Sequence, residues 1–228
     1  MQTIRNNNSI FEKFKKIYSM FLNDKLALIS IIFLIFILII AIFGPSLTSN
    51  SFTKMNLRLR NLAPFSFDHN MMYFLGADAL GRSMIARLII GTQNTMFIAA
   101  SAVLLSMTFG GVLGLISGYF GGKIGNFIMR LADVIMSFPS LLLAVIVLYM
   151  FDPGLINLVM VLAFTRMPIY MRTARAEVLE IRERLFVAAA VSMGASNLRI
   201  IFKHIAPLIM PTLITIATLD FAFVMLGE

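Results

Sequence analysis

The chain has no cysteine and no tryptophan, and it carries little charge. Of its 228 residues only 13% are Asp, Glu, Lys or Arg, whereas a soluble domain has about 25%. The lack of cysteine excludes disulfides, thiolate metal sites and a thiol nucleophile. Hydrophobic residues reach 59%, which excludes a disordered chain because disorder requires low hydrophobicity. Together these values predict a membrane protein.

The sequence motifs of several enzyme classes are also missing. No G-x-x-x-x-G-K-[ST] occurs, so we expect the chain to bind no ATP phosphates itself. No H-E-x-x-H and no G-x-S-x-G are present, so neither a zinc protease nor a lipase is indicated. The two histidines, His69 and His204, are expected on opposite sides of a membrane, which argues against a metal site. We therefore expect no catalytic residues, no metal and no directly bound cofactor.

Long apolar runs are what the chain does have. A spanning helix needs about 17–25 mostly apolar residues. Five segments approximate this pattern: 26–43, 95–120, 134–151, 155–170 and 208–226. The sequence thus predicts an all-α integral membrane protein with five spanning helices. Pro139 is expected to kink or start the third helix, and a ridge in the second favours close helix packing, formed by Gly110, Gly114 and Gly118.

The Lys and Arg residues predict the orientation. Fourteen of the 19 lie before residue 26, between the second and third helices, or from Arg166 near the end of the fourth helix to the start of the fifth. These segments share one side, and the positive-inside rule makes that side cytoplasmic. The N-terminus is then cytoplasmic. The net charge of +8 follows from topology, so no nucleic-acid partner is required.

Three segments lie largely outside the predicted spans. Residues 1–25 carry an apolar stripe over 10–21 with lysines opposite, which is typical of an amphipathic helix on the membrane surface. A simple positively charged flank is the alternative. Residues 44–94 form an external loop, in which two glycines and Asp78 indicate an ordered turn before a helix. Residues 171–207 form a cytoplasmic loop.

The cytoplasmic loop has the most informative pattern. Residues 173–184 extend the fourth helix, and 185–191 form an uncharged helical run. Gly194 is expected to cap that run with a positive φ, and a short helix over 197–205 is expected to end at Pro207. An uncharged helix outside the membrane needs a cover, which indicates a docking surface. Packing beneath the helix bundle is the alternative.

Two acidic residues need separate consideration. Asp133 lies three residues after Arg130, so the two are expected to pair on one helical face. Asp220 lies within a predicted span, where an acid is a functional candidate by default. It would titrate in a proton-coupled carrier or channel, or act with Asp133 in an aspartyl intramembrane protease. We favour a position beside a water-filled path or an adjacent subunit.

These motifs together resemble the permease subunits of binding-protein-dependent ABC importers in the dipeptide, oligopeptide and nickel group. The chain looks more like the second of their two paired permeases. The resemblance covers residues 20–228, and its last stretch is similar to the family's EAA loop, although Ala188 stands where the family has Glu. The matching residues are Gly76, Asp78, Gly81, Arg82, Arg87 and Gly91, then Gly121, Gly122, Arg130, Asp133, Phe138 and Pro139, and finally Ala189, Ala190, Gly194, Ile205 and Pro207.

The resemblance implies a type I ABC importer transmembrane domain over 26–228, in the inner membrane. It implies that ATP is hydrolysed by two cytoplasmic partner subunits, which the loop contacts through residues 188–190, Gly194, Ile205 and Pro207. The other implied partners are a second permease, membrane lipid and an extracytoplasmic solute-binding protein. The implied solute is a peptide or a related small molecule. Family members have six spanning helices, so a chain with five that ends at Glu228 is expected to be truncated.

Overall fold

A computed structural model describes residues 24–48, 53–66, 70–150 and 154–227. The predicted amphipathic stripe at 10–21 and His69 lie outside the described residues. The chain divides into two compact units, Met1–Gln93 and Asn94–Glu228, and each is described by itself. Apart from an isolated β-bridge between Ala77 and Ser83, the regular structure of the described residues is helical.

The first unit contains helix α1 (Lys25–Thr48), two 3-10 turns (Leu57–Leu59 and Met71–Tyr73) and the start of α2 (Met84–Phe120). Helix α1 begins where the Asp24 carboxylate accepts the N–H groups of Leu26 and Ala27 at 3.0 and 3.2 Å. This contact satisfies donors that the first turn of a helix leaves free. Most side chains of α1 are exposed, as expected for a helix that faces lipid.

The described residues of the second unit continue α2 and add six further α-helices. The first five in chain order are α3 (Gly122–Ser137), α4 (Ser140–Met150), α5 (Leu155–Arg182), α6 (Leu185–Ser192) and α7 (Asn197–Arg199). A π-helical segment, Ile200–Ile205, then joins α7 without a break to the last helix, α8 (Ala206–Gly227).

Four helical stretches are long and apolar enough to cross a membrane: α1, α2, α5 and Asn197–Leu226. Helices α3 and α4 pass the same test as a bent pair, so the described residues hold four candidate spans, or five if the pair counts as one. The prediction of an all-α membrane protein is confirmed. The predicted count of five agrees with the structure when the pair is included.

The third predicted span, 134–151, is not one continuous helix. Helix α3 ends at Ser137, and the axis turns by 88° between Gly122–Ser137 and Leu142–Met150. Phe138 has φ −93° and ψ 133°, the extended conformation that a proline favours in the residue before it. The helix therefore breaks at Phe138 and Pro139 and starts again at Ser140.

Other boundaries differ from the predicted ones for local reasons. Helix α2 begins at Met84 rather than 95, because the Ser83 hydroxyl accepts the N–H of Ala86 at 3.2 Å and caps the first turn. Helix α5 continues to Arg182, which confirms that helix extends beyond the fourth predicted span.

Helices α2 and α5 pack closely along the predicted glycine ridge. A Cβ at Gly110 would lie 2.6 Å from the Met167 carbonyl oxygen, and one at Gly114 would lie 2.6 Å from Ala174 Cβ. A Cβ at Gly118 would lie 2.7 Å from Val178 Cβ. These distances are below van der Waals contact, so the ridge allows an approach that larger residues would prevent.

The core of the second unit lies next to this ridge. It gathers side chains from α2, α5, α6, the π-helical segment and α8. Its buried members are Leu115, Tyr170, Ala174, Val178, Ile181, Val187, Ala190, Ile200, Ile201, Ile205, Ile209 and Leu213. Because α6 contributes two of these side chains, it is fixed to the helices on both sides of it in sequence.

Candidate functional site

Helix α6 has one buried face and one exposed face. Val187 and Ala190 are each 4% exposed and pack into the core. Ala188 and Ala189 lie on the exposed face, and Leu185 at the start of the helix is 89% exposed. The sequence leaves two alternatives for this helix, packing beneath the bundle or an open surface. In the structure, each alternative applies to one face of the helix.

The bend after α6 is a Schellman cap centred on Gly194. Its φ is +75°, in the left-handed region that the sequence predicts and that glycine adopts without strain. The Gly194 N–H donates to the Val191 carbonyl at 2.9 Å, and the Ala195 N–H donates to the Ala190 carbonyl at 3.1 Å. This pair of hydrogen bonds ends a helix and fixes the direction of the chain beyond it.

The prediction that Pro207 ends a short helix is wrong. Helix α7, the π-helical segment and α8 are continuous, and Pro207 is the second residue of α8. Proline has no N–H and its ring displaces the carbonyl four residues earlier. Here the preceding turn is wider, because the Ala206 N–H bonds to the Ile201 carbonyl five residues back. Ile205, in the same turn, is fully buried.

Two arginines fasten α5 to the junction of α2 and α3. Arg175 Nη1 donates to the Gly125 carbonyl at 2.8 Å and to Ser117 Oγ at 3.2 Å. Arg182 Nη1 donates to the Gly118 carbonyl at 3.1 Å. From the sequence, Arg175 and Arg182 contribute only to the predicted membrane orientation. Their hydrogen-bond partners are far away along the chain, so no local pattern reveals these contacts.

Two side-chain hydrogen bonds tie the last helical stretch to its neighbours. Tyr119 Oη, at the end of α2, donates to Asn197 Oδ1 at 2.9 Å. Thr212 Oγ1 of α8 donates to Glu177 Oε1 of α5 at 3.2 Å. With the arginine contacts, these bonds form polar links among α2, α3, α5, α7 and α8.

Asp133 pairs with Arg172 of α5 and not with Arg130. Arg172 Nη2 lies 2.6 Å from Asp133 Oδ1. Arg130 is on α3 with Asp133, but in the described part of the chain no ion pair joins them. Helix α5 supplies a guanidinium at closer range, so the expected pair within α3 is replaced. The side chains of Arg172 and Asp133 are 50% and 60% exposed, which limits the contribution of the pair to stability.

Asp220 lies in a buried polar cluster between α5 and α8. It is 4% exposed, and its Oδ1 lies 3.4 Å from Arg166 Nη1. Its Oδ2 accepts a hydrogen bond from Tyr170 Oη at 3.1 Å. The Arg166 guanidinium carbon lies 5.9 Å from the centre of the Phe223 ring. A charge inside a membrane protein is usually paired in this way.

This cluster leaves the alternative roles of Asp220 without a supporting observation. A proton-coupled carrier needs an acid that titrates, whereas Asp220 has an arginine counter-ion. A protease would need Asp220 to act with Asp133, but each of the two carboxylates has its own arginine partner. Among the described residues, no group of three or more His, Cys, Asp or Glu side chains could hold a metal ion.

The turn before α2, in the first unit, is built around Asp78. Its Oδ1 accepts the N–H groups of Leu80 and Arg82, both at 2.9 Å. Its Oδ2 accepts from Arg82 Nε and Arg87 Nη1, both at 2.8 Å. The Arg82 backbone N–H above all, with the Arg82 side chain and the Leu80 N–H, lowers the pKa of Asp78 to about 2. The carboxylate therefore stays ionised and organises the turn.

Two glycines let this turn close. Gly81 has φ +72°, and a Cβ there would overlap the Asn56 carbonyl. Gly76 has φ +82° and faces the Leu62 carbonyl. The backbone of residues 53–66 approaches both positions too closely for any larger residue, so both glycines serve the shape of the turn.

Comparisons with known proteins match this arrangement. Residues 110–228 match the family of binding-protein-dependent transport system inner membrane components. Residues 14–64 match the N-terminal TM domain of oligopeptide transport permease C. The two matches include α1 and most of the second unit.

Several curated relatives align with most of the chain. It is 37% identical over 198 residues to the dipeptide transport system permease protein DppC of Alkalihalophilus pseudofirmus, covering 87% of this chain and 64% of that protein. It is 36% identical over 210 residues to the di/tripeptide transport system permease protein DppC of Pseudomonas aeruginosa, covering 91% and 69%. The nickel transport system permease protein NikC of Escherichia coli is 34% identical over 154 residues, covering 68% and 56%.

The chain thus spans 64% of the length of the first of these relatives. The family match extends over the ridge, the arginine contacts of α5, the Gly194 bend and the Asp220 cluster. The apolar helices agree with a multi-pass inner membrane protein. The chain belongs to the family of binding-protein-dependent transport system inner membrane components, among the permeases of peptide and nickel ABC importers.

Proposed function

We propose that the chain is a permease subunit of a binding-protein-dependent ABC importer and forms half of the translocation pathway. Its solute is a peptide or a related small molecule. Its partners are a second permease, two cytoplasmic ATPase subunits and an extracytoplasmic solute-binding protein. The chain has no phosphate-binding loop, so ATP is bound and hydrolysed by the ATPase subunits. The N-terminus is cytoplasmic.

The observation that carries the coupling role is the exposed, uncharged face of α6. An exposed apolar helix is stable in water only when a partner covers it. Leu185 and Met193 are 89% and 80% exposed, and they flank the exposed alanines Ala188 and Ala189. We assign this surface to the ATPase subunit. Because Ala188 carries no charge, the contact depends on apolar packing and shape.

The opposite face of α6 supports a mechanical role. Val187 and Ala190 belong to the core that also holds side chains of α5, the π-helical segment and α8, so a displacement of α6 is passed through this core to both long helices. Helix α5 is continuous from Leu155 to Arg182, and interiors this closely packed transmit strain. Gly194 holds α6 at a fixed angle to the next helix, and Ile205 and Pro207 belong to the segment that receives the movement.

A co-purification experiment tests this proposal. The full-length permease is expressed with its partner subunits, extracted in mild detergent and captured through a tag. The variant Gly194→Glu introduces a side chain at a positive φ, and Gly122→Glu is its matched control. Gly122 has φ +51°, and in both positions a Cβ would have no atom within 4 Å. The two variants therefore carry similar backbone strain and the same charge.

We expect the wild type and Gly122→Glu to retain the ATPase subunits and Gly194→Glu to lose them. Ala189→Glu separates docking from folding, because it lies on the exposed face of a regular helix and strains no backbone. It should also lose the ATPase subunits while keeping the second permease. If the intact wild type captures no ATPase, the importer proposal is wrong. If both Gly194→Glu and Ala189→Glu retain it, α6 is not the docking surface.

A further inference from the structure

A cavity of about 300 Å³ lies beside α5, at the bend between α3 and α4. Its walls include Phe138 and Pro139 from the bend, and Thr165 and Ile169 from α5. The charged residue among those that line it is Arg166. A cavity that combines apolar walls with one well-placed charged group is the usual form of a small-molecule site.

Arg166 is held in place by groups outside the cavity. Asp220, itself 4% exposed, fixes Nη1 at 3.4 Å, and Tyr170 orients the same carboxylate. The Phe223 ring lies against the guanidinium. An arginine has five N–H donors in a rigid fork, and the ion pair described here joins Asp220 to Nη1. The other nitrogens of the fork supply further donors.

The side chains of Arg166 and Asp220 differ in their exposure, and this difference points to a ligand. The Asp220 side chain is 5% exposed and that of Arg166 is 30% exposed. Charged groups in spanning helices are costly and usually belong to solute or ion pathways. The buried acid thus presents a partly open guanidinium to the cavity.

We propose that Arg166 binds the carboxylate of the translocating solute in this cavity. The ligand class is a small molecule with a free carboxylate, such as the C-terminus of a short peptide. A planar guanidinium recognises a carboxylate through paired N–H donors. A cavity of about 300 Å³ is at the lower end of small-molecule sites, so it holds the terminal residue and not a long peptide. This inference rests on the proposed import function.

The chain's lack of cysteine allows a direct test. Thr165→Cys adds a single thiol to these 228 residues at the cavity wall. Ser66→Cys is the control, since Ser66 lies in the segment 44–94 that the sequence places in water. The Thr165 hydroxyl donates to the Leu162 carbonyl at 3.0 Å, and the Ser66 hydroxyl donates to the Ala63 carbonyl at 2.8 Å. The full-length complex in nanodiscs is treated with anionic or cationic methanethiosulfonate reagents, and the labelling rates are compared.

The second comparison changes the ion pair between Arg166 and Asp220. Arg166→Gln alone leaves Asp220 unpaired, so the informative variant is Arg166→Gln with Asp220→Asn, which removes both charges together. We expect Thr165→Cys to react faster with the anionic reagent, and this preference to fall by about tenfold in the double variant, a change of about 1.4 kcal/mol. Dialanine should slow the anionic labelling, whereas dialaninamide, which lacks the carboxylate, should not. The preference at Ser66→Cys should be unchanged.

Three results would overturn the proposal. One is no labelling of Thr165→Cys by either reagent, which would mean that the cavity is closed to water. The second is an anionic preference that persists in the double variant. The third is equal protection by dialanine and its amide. Because labelling does not depend on transport, a complex that fails to import peptides but labels as expected would contradict the proposed function and leave the carboxylate site standing.

Discussion

Gly114 offers a direct test of how tightly α2 and α5 are packed. In the Gly114→Ala variant, the new methyl group would lie 2.6 Å from Ala174 Cβ and 2.6 Å from the Met171 carbonyl oxygen. Carbon atoms prefer separations of about 3.5–4.0 Å. The helices would therefore have to separate by about 1 Å, which would also loosen the contacts at Gly110 and Gly118.

The size of the destabilisation in Gly114→Ala follows from two opposing contributions to the free energy of unfolding. Overpacking of a closely packed core costs about 1–3 kcal/mol, and the upper value applies because one neighbour is backbone that cannot rotate away. Replacing glycine by alanine inside a helix returns about 1 kcal/mol. The net destabilisation is about 2 kcal/mol. For a domain of this size that lowers the unfolding temperature by about 4–8 °C.

Two glycines of the same helix are matched controls. A Cβ at Gly91 would have no atom within 4 Å, and one at Gly111 would meet the end of the Leu213 side chain at 3.2 Å. Gly91→Ala should be neutral or stabilising by up to about 1 kcal/mol, and Gly111→Ala should be close to neutral. Thermal unfolding of the full-length permease complex in detergent would rank the three variants by stability. A Gly114→Ala variant as stable as Gly91→Ala would refute the close approach of α2 and α5.

Two smaller predictions concern the ion pairs. The pKa of Asp78 is lowered from 3.8 to about 2, so its stabilising contacts are complete above about pH 4 and are lost as the pH falls toward 2. Hydrogen-exchange protection at 76–83, corrected for intrinsic rates, should decrease over that window, and in Asp78→Asn it should be low throughout; a pH-independent wild type would contradict this. Arg172→Gln should change thermal stability by less than about 1 kcal/mol, because its pair with Asp133 is exposed; a larger loss would mean that the pair is shielded in the complex.

The features that the sequence predicts well are those whose cause is local. Gly194 follows an uncharged helical run, and a glycine at that place is the usual residue for a left-handed cap. The ridge of Gly110, Gly114 and Gly118 repeats every four residues, so it must lie on one face of a helix. In both cases the physical constraint acts within a few residues, and the spacing alone carries it.

The features that the sequence does not reveal depend on residues far apart in the chain. Asp133 has Arg130 three residues away, yet Arg172, 39 residues away, forms the pair. Asp220 is an obvious candidate from its apolar surroundings, but nothing near it in sequence indicates Tyr170, 50 residues earlier. Partners of this kind depend on which helices are neighbours. The helical pattern by itself leaves that choice open.

Pro207 shows a different limit, and it bears on how movement passes through the molecule. The rule that proline ends a helix assumes an α-helical turn before it, whereas here the turn is π-helical. On one side of α6, helix α5 is clamped by the glycine ridge and by Arg175. On the other side, the chain passes through a π-helical segment, a geometry that is rare and frequently found at functional sites. If an ATPase subunit displaces α6, as proposed, α5 passes the movement on together with α2, to which it is clamped, and bending concentrates at Ile200–Ile205. The same irregularity that lets the helix continue past Pro207 is then the place where it bends.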